Sequence, residues 1–71
     1  MAEEQEIQKL RDMARNEQDE AIKEELILTL ASYGFKARQS LFDLLDQETD
    51  GQRKNFILAN IREINKRIGL G

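Results

Sequence analysis

The sequence predicts an all-α domain, a four-helix antiparallel stack built from helical hairpins. Three observations lead there. Apolar residues recur at the three-and-four spacing of one helix face throughout the chain. Proline is absent from the 71 residues, and two of the four glycines fall within the last three positions, as long helices with short connections require. Charged residues make up 35% and aromatics 6%, which suits a solvated helical surface around a Leu/Ile core. A domain of this size buries only about 60% of its unfolded surface, so residues 1–71 form a single domain with one shared core.

The first helix is expected near 3–17. It carries a thin stripe of Ile7, Leu10 and Ala14, with Met13 beside it and glutamates in the first turn, where they suit the positive end of the helix dipole. Asp19 is placed to cap the second helix, near 20–33, because its carboxylate can accept from the first free backbone amides. That helix is the densest apolar segment of the chain. Ile22, Leu26, Leu30 and Tyr33 form a stripe, and Ile27, Leu28 and Ala31 widen it past half the circumference. A helix of that kind must be covered on at least two sides.

Gly34 can take a positive φ and close the second helix. The third, near 36–47, follows at once with Ala37, Leu41, Phe42, Leu44 and Leu45, so the two form a hairpin. The run DQETDGQ reads as a loop. Thr49 or Asp50 caps the last helix, and Thr49 with Gln52 fits the capping-box spacing. The fourth helix, near 51–68, aligns Ile57, Ile61, Ile64 and Ile68, flanked by Phe56 and Ala59, and ends at Gly69. The expected core is Ile7, Leu10, Leu26, Leu30, Leu41, Leu45, Ile57, Ile61 and Ile64.

Shifting the chain by 35 residues against itself lays Ile7 on Phe42, Leu10 on Leu45, Ile22 on Ile57, Leu26 on Ile61 and Gly34 on Gly69. The unit is helix, short polar loop, helix, glycine. The segments IKEELILTLASYG, FKARQSLFDLL and DQETDGQRKNFILANIREINKRIG resemble HEAT repeats, including the HEAT-like repeats of the phycobilisome-lyase type. In such repeats a short acidic loop leads to an arginine near the start of the next helix. Here DQETD supplies the loop, Arg53 the arginine, and Lys23 its equivalent one repeat earlier. The similarity runs from about Ile7 to Gly69, and Ile7–Asn16 stands as the second helix of a preceding, incomplete repeat. Phe35 departs from the usual proline or polar residue, and the last helix is a turn longer than the pattern. The resemblance implies an α-solenoid fragment, about two helical-hairpin repeats, used as a binding scaffold without chemistry of its own.

The composition removes several activities. Without His or Cys, the commonest general bases, nucleophiles and soft metal ligands are missing, and no disulfide framework is expected. Glu24 with Glu25, or Asp43 with Asp46, pair carboxylates only as solubilising helix surfaces do. Counted from Asp46, the twelfth position of a calcium loop would be Ile57 in place of the closing glutamate. No catalytic, cofactor-binding or metal-ligating residue is expected, and the chain is not expected to be an enzyme. No apolar run approaches a membrane span, and MAEEQEIQ is unlike a signal peptide; the default location is the cytoplasm.

Charge is unevenly spread. Residues 1–50 carry 6 basic and 13 acidic side chains, a net −7; residues 51–71 carry 5 and 1, a net +4. One reading makes the last helix a nucleic-acid surface within a helix-turn-helix-like core, with Arg53, Lys54, Asn55, Asn60 and Arg62 as contacts. The other leaves these groups solvated or paired with acidic helices. Against the first, Ser40 stands where such a core needs an apolar residue, and the net charge of −3 opposes phosphate binding. The preferred expectation is a non-enzymatic protein–protein interaction module, a small adaptor or regulatory subunit. The HEAT resemblance implies that the second helix of each pair lines the binding face, here the first and third helices, which would offer Lys9, Arg11, Arg15, Lys36, Arg38, Gln39, Asp43 and Gln47. Phe56, Leu58 and Leu70 cannot all join the isoleucine stripe, so a homodimer or docking onto a larger protein is also expected.

Overall fold

The structure, a computed structural model, describes residues 2–69, and Ala2 by its backbone alone. It is all-helical among those residues: α1 Ala2–Asn16, α2 Glu20–Ala31, a single 3-10 turn Gly34–Ala37, α3 Arg38–Gln47 and α4 Gly51–Arg67. The caps explain the boundaries. Asp19 is extended, and its carboxylate accepts from Ile22 N at 3.2 Å. Asp50 repeats the device on Arg53 N at 3.3 Å, so Asp50 caps α4 and the Thr49–Gln52 box is not used. Gly34 and Gly69 take φ of +73° and +82°, a region in which a Cβ crowds the following carbonyl. The second helix stops two residues short of the expected 33, because the chain tightens into the 3-10 turn before α3 begins.

The helices make two layers. α1 packs on α2 and α3 packs on α4 as sequential hairpins, while α1 lies beside α3 in one layer and α2 beside α4 in the other. The radius of gyration, 11.4 Å, matches the ~11 Å of a closed domain this long. At the centre, Ile27, Leu30, Leu41, Ile57 and Ile64 are fully enclosed, with Ile7, Leu10, Ala14, Ala31, Ala37, Leu44 and Ile61 around them. Leu26, Tyr33, Leu45 and Phe56 pack on this core half-buried.

Two expectations need correction. Leu26 and Leu45 are peripheral, and Ile27 and Leu44 hold the central positions instead. Of the expected α2 stripe, Leu30 is buried and Leu26 and Tyr33 are half-buried; Ile27 and Ala31 complete the buried face, whereas Ile22 is 46% exposed. An apolar belt wider than half a helix leaves the inward direction to the neighbours, and three helices contact α2 on its other side. The repeat also moves. At a shift of 34, Ile7 falls on Leu41, Leu10 on Leu44, Ile27 on Ile61 and Leu30 on Ile64, and all eight are buried. The paired glycines mark 35 because Gly69 falls one residue beyond the position that Gly34 takes in this register.

Substituting Leu30→Ala or Leu41→Ala should lower the free energy of unfolding by about 2–5 kcal/mol. Ile22→Ala should stay within about 0.5 kcal/mol. Urea melts followed by circular dichroism would check this ordering, and equal losses at Ile22 and Leu30 would contradict the assigned core.

Candidate interaction surface

The layer of α1 and α3 carries most of the polar residues expected to meet a partner. Arg11 on α1 reaches Asp43 on α3, Nη1 to Oδ2 at 3.4 Å, and also Asp12 at 3.2 Å. Gln39 donates its amide to the other oxygen of Asp43 at 3.1 Å. Lys36 donates to Glu3 at 2.6 Å. That hydrogen bond, followed by the Glu3 charge, raises the Lys36 pKa above its ordinary value, although an exposed pair contributes little to stability. Lys9, Arg15 and Gln47 are exposed on the same two helices, and Arg15 approaches Asp12 at 3.8 Å.

Beside these groups lies a groove of about 520 Å3, open to solvent, between the start of α1 and the start of α3. It is lined by Glu3, Glu4, Phe35, Lys36, Arg38, Gln39 and Phe42. Phe35 is 57% exposed and Phe42 is 36% exposed. The spacing 35, 38, 42 puts both rings on the side of Arg38, whose guanidinium carbon sits 5.2 Å from one centroid and 5.8 Å from the other. Arg38 Nε is closed off from solvent without a hydrogen-bond partner, so the ring faces supply its local electrostatic contact. Both phenylalanines were hidden from sequence reasoning. Phe42 fits the apolar stripe of α3 and Phe35 looked like a local departure from a repeat. The available signal was Phe35 directly after the left-handed Gly34, where the 3-10 turn carries it outward.

The residues of the nucleic-acid reading do not share one surface. Arg53 is buried, with its side chain 10% exposed. Its Nη1 donates to Glu48 at 3.2 Å, and its Nη2 lies 3.1 Å from Glu20. Asn60 donates to the backbone oxygen of Phe56 at 2.9 Å and lines the groove between α2 and α4. Lys54, Asn55 and Arg62 are exposed.

Glu48 is the centre of the Arg53 arrangement. It is the residue that ends α3, and its side chain is 6% exposed. One carboxylate oxygen accepts from the backbone N–H groups of Thr49 and Asp50 and from Arg53, each at 3.2 Å. The other oxygen lies 3.6 Å from Lys23 Nζ on α2. Burial alone would raise the carboxyl pKa. The Asp50 N–H and the charges of Lys23 and Arg53 outweigh it and hold the group below the ordinary glutamate value. Arg53 is driven the opposite way: burial lowers its pKa, but Glu48 and Glu20 together raise it.

Among the described residues no cluster of potential metal ligands forms, and no helix is long and apolar enough to cross a membrane. Compared with known proteins, the chain matches no family model, no curated protein and no solved structure.

Because its folded pKa is depressed, Glu48 contributes stability that is present above its unfolded value, about 4.3. That contribution is lost as pH falls through the folded value. Glu48→Gln should cost about 1–3 kcal/mol at neutral pH and flatten the loss of stability below pH 4.3. Urea midpoints measured from neutral pH down into acid would show it; parallel curves for the two proteins would refute the role given to this carboxylate.

Proposed function

We propose that the protein is a non-enzymatic interaction module, a HEAT-like helical pair of hairpins that serves as a small adaptor or regulatory subunit in the cytoplasm. The observation that carries this reading is the α1–α3 groove, where two exposed phenyl rings flank an arginine beside charges of both signs. Phenylalanine and arginine are among the residue types enriched at protein interfaces. Mixed charge around them favours a specific protein partner over a duplex, which needs a uniform basic stripe. The HEAT-like part of the reading rests on the sequence resemblance over about Ile7 to Gly69, and the four packed helices are compatible with it.

The nucleic-acid alternative is weakened at its first residue, since Arg53 is engaged by Glu48 and Glu20. Lys54 and Arg62 remain for phosphate contact.

Charge reversal at Lys36 and Arg38, or Phe35→Ala, should reduce recovery of a partner in quantitative pull-downs by tenfold or more, the effect of about 1.4 kcal/mol. Reversal at Lys54 and Arg62 should leave that recovery unchanged. Titration with mixed-sequence duplex at low and high salt separates the two readings. Salt-sensitive micromolar binding that is lost on reversing Lys54 and Arg62 would replace the interaction module with the nucleic-acid reading.

A further inference from the structure

Arg38 is an exception among the cations of this fold. The others that are withdrawn from full exposure each meet a carboxylate: Arg11 meets Asp43, Lys23 meets Glu48, and Arg53 meets Glu48 and Glu20. Arg38 is half-buried too, yet it enters no ion pair among the described residues. The remaining unpaired cations, Lys9, Lys54, Arg62 and Lys66, are exposed and keep their water.

Cation–π contact with Phe35 and Phe42, at 5.2 and 5.8 Å, offsets part of the hydration that Arg38 has lost. A ring face offers no lone pair to the guanidinium N–H groups. Nε is closed from solvent without an acceptor, and the two terminal nitrogens keep the fork that a carboxylate fits with two hydrogen bonds.

The acids that line the groove do not supply that carboxylate. Glu3 accepts from Lys36 at 2.6 Å, and the Glu3 hydrogen bond and charge, then the Glu4 charge, raise the Lys36 pKa. Both acids therefore act on the lysine, and both are exposed. Standing on the α1 side of the groove, they also favour a singly charged guest over a phosphate, which carries about two charges. The groove, about 520 Å3, has room for a neighbouring side chain, and an apolar one would cover the exposed rings.

We propose that the groove takes a segment of a partner protein in which an Asp or Glu side chain stands beside a large apolar one. The carboxylate meets the Arg38 fork, and the apolar side chain covers Phe35 and Phe42. This rests on the interaction-module reading and adds the chemistry of the partner to it.

A random peptide library displayed on phage and selected against the purified chain tests it. Enriched sequences should share an acid adjacent to Leu, Ile, Met or Phe. In a synthetic peptide of that consensus, replacing the acid by its amide should weaken binding about tenfold or more, as should Arg38→Gln in the protein. The two changes together should cost little more than either alone, because they remove the same contact. Circular dichroism verifies the fold, and if Arg38→Gln loses its helix signal, Arg38→Lys, which keeps the charge without the fork, replaces it. Additive losses, or tighter binding with phosphoserine in place of the acid, would overturn the inference. Peptides that require Phe35 but carry no acid would overturn it while leaving the interaction module standing. No enrichment would overturn it as well, and the pull-down comparison judges the module separately.

Discussion

The position of α4 depends on a carboxylate that has been taken out of water. Burying an unpaired charge costs several kcal/mol, and Glu48 is tolerable only because each of its oxygens meets donors on arrival. Two of these are amides of its own loop, one is the guanidinium of Arg53 and one the ammonium of Lys23. The same contacts that neutralise the charge fix the loop's path and the start of α4, and they tie both to the first turns of α2. Asp50 adds its cap on Arg53 N, so loop, cap and ion pair set a single entry angle. The isoleucine face of α4 is turned inward by its own period, and this anchor fixes where the helix begins.

How far the fold was legible depended on how narrow each apolar stripe was. Ile57, Ile61 and Ile64 stand on a thin stripe, and their inward direction follows from the 3.6-residue period alone. α2 gave no such direction. Its apolar residues occupy more than half the helix surface, so Ile22 and Ile27 were equally eligible, and tertiary contacts chose Ile27. The caps were readable because Asp before a helix has one strong local use. Glu48 was not, since an acidic loop residue is normally solvated and its partners converge only in three dimensions. The interaction surface was half readable. Arg11, Gln39 and Asp43 were placed together by helix choice, whereas Phe35 and Phe42 were assigned by pattern to turn and core.

The two layers divide the remaining surface between them. On α1 and α3, several charges are paired locally and the exposed aromatic rings meet at one groove, with Met13 exposed apart from it. On α2 and α4, the exposed apolar side chains are Ile22 and Leu28, and both helices carry charges of both signs, with Glu63 between Arg62 and Lys66 on α4.

The absence of proline, a sign of long helices, and of cysteine bears on how quickly this structure is reached. Refolding of many domains is delayed for tens of seconds by X–Pro isomerisation, or for longer by disulfide exchange. This chain has no bond of either kind. Its hairpins are joined by connections of three residues between α1 and α2 and between α3 and α4, loops that close far faster than either process. No proline isomerisation and no disulfide exchange therefore stands between this chain and its folded state.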